Sequence, residues 1–155
     1  MEIIVDTREH PEAITGILMY FRENGIRDIH KKLDVGDYCV PQNPGYVIDR
    51  KRTLLELSEN LGRGNGRFMR EIRRAHAQRI KLVVLCECGG GVMSIADVAR
   101  WKNPMLAKHP NAMTGRALAE NMYRVHISYG VEFLFCERDE TGRRIVELLR
   151  GAWKE

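Results

Sequence analysis

A chain of 155 residues, 44% hydrophobic and 30% charged, has the size and balance of one globular domain that buries its own core. No apolar run approaches the roughly 20 residues of a membrane helix, and the opening MEIIVDTREH has neither the basic nor the apolar region of a secretion signal; both features speak against a membrane or exported class. The net charge of +4 is uneven, because residues 50–81 hold ten Lys or Arg against three Glu, the footprint of a polyanion site.

In chain order, EIIVD (2–6) predicts a short buried strand. HPEAITGILMYFRENG predicts a helix with Pro11 at its first position, an apolar stripe of Ile14, Ile17, Leu18 and Phe21, and Gly25 as its stop. A three-strand meander is expected next: residues 26–34, then DYCVP (37–41), then YVIDRK (46–51), with PQNPG as the loop before the last. TLLELSENL (53–61) predicts a helix capped by Thr53, GRGNG breaks it, and a second helix runs from Arg67 to about Gln78. KLVVLCE (81–87) reads as a strand packed on both faces. A loop and short helix over GGGV and SIADVARW, an irregular stretch over 102–115, a helix with Leu118, Met122, Val125 and Tyr129 on one side, a last strand VEFLFCE, and a terminal helix burying Ile145, Leu148, Leu149 and Ala152 complete the chain. Strands alternating with helices make an α/β domain.

Four cysteines, Cys39, Cys86, Cys88 and Cys136, lack the spacing of a disulfide framework or a zinc site and read as reduced, buried thiols. The five histidines show no metal spacing, and Trp101 and Trp153 serve a core or an interface.

The acids carry the chemistry. Asp6 and Glu9 follow the first strand, Asp37 opens one strand and Asp49 interrupts another. Alternation places Asp49 and Lys51 on one face of their strand, with Ile48 and Arg50 on the other. Carboxylates gathered at strand ends repel one another unless a cation joins them; Mg²⁺ takes oxygen ligands, commonly one or two carboxylates plus waters. Lys51 beside that site would steady an attacking water or the charge on phosphorus. Arg63, Arg67, Arg70 and Arg74 are spaced to form a basic stripe, with Phe68, Ile72 and Ala75 on a different, inward face. Such a stripe contacts phosphates without reading sequence.

VDTRE (5–9), LDVGDY (33–38) and VIDRK (47–51) resemble the three signature blocks of the XPF-type nuclease domain, of the PD-(D/E)xK restriction-endonuclease-like superfamily. The resemblance implies a mixed central β-sheet flanked by helices and a single nuclease domain over 1–155; family members often append a tandem helix-hairpin-helix module, and none is expected within these 155 residues. It implies Asp37, Asp49 and Glu9 as metal ligands for Mg²⁺ or Mn²⁺, Lys51 as the catalytic lysine, and Asp6, Arg8, Glu9 and Arg50 as further active-site residues. Arg63 and Arg67 resemble the substrate-facing basic segment. Leu55 stands where the family pattern has a later acid, and Glu56 beside it is expected to point elsewhere on its helix. The implied activity is a metal-dependent endonuclease on branched or flapped DNA in repair or recombination, in an intracellular setting (the nucleoid, if bacterial), with residues 105–137 a candidate homodimer or heterodimer surface. The alternatives are a non-catalytic DNA-binding or scaffolding subunit and a sequence-specific, restriction-like nuclease.

Overall fold

The structure is a computed structural model, and it describes residues 1–62 and 66–152; Arg63 and Trp153 lie outside the described residues. Six strands form one sheet: β1 (Glu2–Val5), β2 (Arg27–His30), β3 (Tyr38–Val40), β4 (Asn43–Lys51), β5 (Lys81–Glu87) and β6 (Glu132–Cys136). Their order is β2-β1-β3-β4-β5-β6. β3 runs antiparallel to both β1 and β4, while β1–β2, β4–β5 and β5–β6 are parallel. This mixed sheet is the restriction-endonuclease-like core expected.

Helices cover both faces. α1 (Thr15–Glu23) and α6 (Thr141–Gly151) bury Ile17, Phe21, Ile145, Val146 and Leu149 against Ile3, Val5, Ile48, Val83 and Leu85. On the other face, α2 (Leu54–Asn60), α3 (Gly66–Ala77), the short α4 (Ile95–Val98) and α5 (Gly115–Tyr129) pack Leu57, Phe68, Ile72, Val98, Leu118 and Met122 onto Leu82, Val84 and Cys86. β5 therefore feeds side chains alternately into two cores, as its unbroken apolar run predicts. Thr53 caps α2, accepting from the Glu56 N–H at 3.0 Å. Gly25, at φ +64°, closes α1. In α6 the expected stripe shifts by one position, since Val146 is buried while Leu148 and Ala152 are only partly so.

The meander is corrected. β2 is shorter than expected and lies at the sheet edge, parallel to β1, because α1 is a crossover that returns the chain in the same direction. β3 then inserts between β1 and β4, which brings Asp6 and Asp37 to one sheet end. The expected PQNPG loop is also smaller, since β4 starts at Asn43 and includes Pro44. A strand tolerates that proline where a neighbour does not need its missing N–H, and β5 joins β4 only from Tyr46 onward.

Candidate active site

Asp37 reaches the site through backbone order. Its N–H donates to the Ile48 carbonyl and its own carbonyl accepts from the Asp6 N–H, each at 2.8 Å, so the residue is stitched between β1 and β4. One carboxylate oxygen then accepts the Arg50 backbone N–H at 2.8 Å. The approach depends on Gly36, at φ +66°, where a Cβ would stand 2.3 Å from Val47 Cγ1 and 3.0 Å from the Ile48 carbonyl oxygen. Gly36→Ala is expected to cost about 2–4 kcal/mol in a urea melt, combining left-handed strain with overpacking; a loss under 1 kcal/mol would show that the turn relaxes freely.

Asp49 and Lys51 share the α2/α3 face of β4, as alternation requires. Asp49 is 4% exposed and Lys51 6% exposed, and the Lys51 Nζ lies 2.6 Å from Asp49 Oδ1. That contact is a close ion pair sealed from solvent. Lys51 Nζ also sits 4.2 Å from the centroid of the Phe68 ring, supplied by α3. Burial pushes the Asp49 carboxyl up to about 6, against the opposing pull of Lys51. Burial, then the charges of Asp49 and Glu9, hold Asp37 well above the ordinary carboxylate range, with the Arg50 N–H and Lys51 opposing. Lys51 is itself raised: burial works against its charge, but Asp49 and Asp37 outweigh it.

Arg50 points to the opposite face, between two acids. It pairs with Glu9 Oε2 at 2.9 Å and Glu87 Oε1 at 3.1 Å, and its side chain is 4% exposed. Tyr38 donates its hydroxyl to the same Glu9 oxygen at 2.9 Å. Glu9 therefore lines the cleft but is tied to Arg50 and Tyr38. Among the described residues no three acidic, histidine or cysteine side chains are already gathered as a metal-holding set, so Asp37, Asp49 and Glu9 do not form a closed triad.

Asp6 is engaged on both carboxylate oxygens. It is 0% exposed; Oδ1 accepts the Arg8 N–H and Nε, each at 2.7 Å, and Oδ2 accepts the Leu33 N–H at 2.6 Å. With its acceptors occupied it orders the loop that carries Asp37. Arg8 is held by Asp6 and by the Leu33 carbonyl at 2.9 Å, yet remains partly exposed at the cleft.

The cleft, about 300 Å³, is closed on its other side by Glu56 and Asn60 of α2 and by Arg67, Phe68 and Glu71 of α3. Glu56 thus faces the site, contrary to expectation, while Leu55 turns away toward other hollows. Glu56 accepts the Arg52 N–H at 2.8 Å, which bends the chain back as it leaves β4. Glu71 accepts the Gly36 N–H at 2.7 Å and Arg74 donates to the Asp34 carbonyl at 2.7 Å, so α3 is docked onto the loop before Asp37. Arg67, Arg70 and Arg74 are exposed, and Phe68, Ile72 and Ala75 are buried, the division that their spacing predicts. Glu87, Tyr38, Phe68 and Glu71 received no site role from sequence; for Glu87 the signal was present, because it ends β5 two residues beyond Leu85, the register partner of Arg50.

The sequence profile described as the ERCC4 domain matches residues 5–148. The chain belongs to the ERCC4 domain family. That family comprises DNA nuclease domains of structure-specific type, and the match takes in both halves of the cleft and every strand from β2 to β6, with only Val5 of β1. Two solved structures share the fold: XPF from Aeropyrum pernix, 18% identical with a TM-score of 0.67, aligned over 100% of this chain and 66% of that one, and XPF from Aeropyrum pernix in complex with DNA, 20% identical with a TM-score of 0.68, over 99% and 65%. The chain therefore spans about two thirds of the length of these relatives. No curated protein matches. Among the described residues no helix is long and apolar enough to cross a membrane.

Proposed function

We propose that this ERCC4 domain is a metal-dependent endonuclease that hydrolyses phosphodiester bonds in branched or flapped DNA, in repair or recombination. The observation that carries the reading is a cleft lined by the half-buried Asp37 and the buried Asp49, with Lys51 at 2.6 Å from Asp49 and Arg8 and Arg67 on its rim. The donors fit a hard divalent cation. All are carboxylate oxygens, and Asp37 and Asp49 line the same cleft. Two acids suffice for Mg²⁺ or Mn²⁺, which retain waters and take substrate phosphate oxygens. Asp37 and Asp49 would hold the ion, which when bound supplies Lewis acidity toward the phosphoryl oxygen; Glu9 belongs instead to the group that fixes Arg50.

The chain's own residues do the rest. Lys51, cationic at every working pH, places positive charge where negative charge develops at phosphorus. Arg8 and Arg67 receive flanking phosphates, joined by Arg70, Arg74 and Arg63 along the basic helix and the segment before it. Glu9, Arg50 and Glu87 hold β4 against β5, which keeps the Asp49–Lys51 register. Tyr123 and Ile127, exposed on α5, give a second subunit, identical or related, an apolar contact. Incubation with end-labelled flap, fork and four-way-junction DNA in Mg²⁺ or Mn²⁺ tests the reading: nicking near the branch is expected, and binding with no cleavage in either metal would reduce the chain to a DNA-binding subunit.

The carboxylate shifts add a test that needs no turnover. Native Asp49 titrates near 6 against an ordinary 3.8, so the native state binds more protons than the unfolded one between those values. The stability held in the neutral carboxyl, at most about 3 kcal/mol, is complete below pH 4 and lost as pH rises through 6. A cation relieves the exposed repulsion. Saturating Mg²⁺ is therefore expected to raise Tm by about 3–6 °C at pH 8 and negligibly at pH 5. Asp37→Asn should abolish the pH 8 shift; an equal shift at both pH values would remove this pair as the binding site.

A further inference from the structure

A second cationic surface lies beyond α2. Between Asp97 and Glu120 the chain has no acidic residue, while it carries Arg100, Lys102, Lys108, His109 and Arg116. All five are exposed. Arg100 is paired with Asp97; Lys102, Lys108 and Arg116 face no acid within ion-pair distance among the described residues. α5 begins inside this stretch, with no acid in its first turn, so its positive end adds to the same field.

The segment is built rather than loose. Asn103 is 5% exposed; its Nδ2 donates to the Met113 carbonyl and its Oδ1 accepts the Met105 N–H, both at 2.9 Å. One buried amide thus clasps the two ends of the loop. Inside it, the His109 N–H donates to the Met105 carbonyl at 2.8 Å and the Ala112 N–H to His109 at 2.9 Å. Such order holds the backbone that carries Lys108 and His109 and lowers the entropic cost of binding an anion there.

Its location relates it to the cleft. Glu56 and Asn60 of α2 line the cleft, while Leu55, Ser58 and Glu59 line a hollow of about 830 Å³ shared with His109, Asn111 and Met113. α2 is therefore a ridge with the carboxylate site on one flank and the clasped basic loop on the other. None of the exposed large hydrophobic side chains falls in this segment, which disfavours a lipid surface or an apolar protein partner. A second phosphate backbone on the loop side of α2 fits the charge and order of the loop, with the exposed Glu59 of α2 marking the edge of the basic surface.

Building on the proposed nuclease reading, we infer that Lys102, Lys108 and Arg116 bind the phosphates of a second duplex arm, so that this loop selects branched over linear DNA. The test is binding in EDTA, where cleavage cannot intervene, with a labelled fork and a linear duplex of one arm's length. Lys102→Glu/Lys108→Glu/Arg116→Glu should weaken fork binding at least ~10-fold, leave the short duplex within ~2-fold, and lower the slope of log K against log salt by about 2–3. The corresponding triple Ala variant should show the same preference at smaller size, with a circular-dichroism melt like that of the parent. A control reversing Arg22, Arg27 and Arg150 matches the charge change elsewhere and should spare fork binding. Fork affinity within two-fold of the parent, an equal loss on the short duplex, or an equal loss in the control would each overturn the inference. The two readings separate cleanly: a parent that binds forks without cutting them in any metal loses the nuclease assignment, while the arm-binding surface stands.

Discussion

Lys51→Met is expected to lower the cleavage rate by at least 10²–10³-fold with DNA affinity little changed, measured in single-turnover assays on a flap substrate. The magnitude follows from removing a fixed charge aimed at developing negative charge in a partly dry site. The geometry also specifies what Lys51 does. Its ammonium stands 2.6 Å from Asp49 and 4.2 Å from the Phe68 centroid, and its pKa is raised rather than lowered. A general base would need the opposite shift. The pH–rate profile should therefore lack a limb from lysine deprotonation, and its acidic limb should report the Asp37–Asp49 pair. A variant that retains a tenth of the parent rate, or an alkaline shift of the rate on Lys51→Arg, would contradict this role. Asp37→Ala should abolish cleavage as fully, by removing the acid that the Arg50 N–H orients.

Arg50→Met is expected to destabilise the domain by about 3–5 kcal/mol in urea denaturation at pH 7. The pairs Arg50–Glu9 and Arg50–Glu87 are nearly sealed: the side-chain exposures are 4% for Arg50, 14% for Glu9 and 3% for Glu87. Deleting the cation leaves two carboxylates facing each other with only the Tyr38 hydroxyl to share, and an uncompensated buried charge is the expensive case. Much of the loss should return in the triple variant Arg50→Met/Glu9→Gln/Glu87→Gln, whose remaining groups are neutral. If Arg50→Met stays within 1 kcal/mol of the parent, the network is not what holds β4 to β5 at this end. Cleavage in the triple variant measures how far Arg50 serves catalysis through position alone.

The local signals were strong where one residue's neighbours along the chain decide the outcome. Alternation along 46–51 put Asp49 and Lys51 on one face, and the spacing of Phe68, Ile72 and Ala75 against Arg67, Arg70 and Arg74 separated the buried and solvent sides of α3. The continuous apolar run of β5 announced two cores. The motif order DTRE, GDY, DRK pointed to the nuclease family that residues 5–148 match.

Long-range pairing was not legible. Whether β2 continues a meander or returns beside β1 depends on how α1 packs, and a short, polar strand carries no pattern that chooses between them. The same pairing decides the fate of the acids. Asp6, Glu9, Asp37 and Asp49 look alike as carboxylates on strand ends, yet Asp6 is saturated by Arg8 and Leu33, Glu9 is committed to Arg50, and Asp37 and Asp49 alone remain poised together. Glu56 faces the cleft because α2 leaves β4 at the angle that its bond to the Arg52 N–H helps set. Periodicity was enough to separate the two faces of β4 and of α3, because side-chain direction repeats every two residues in a strand and every 3.6 in a helix. Which charges meet came from packing alone, because partners such as Arg50 and Glu87 are brought together by sheet register, and that register is set by both cores packing at once.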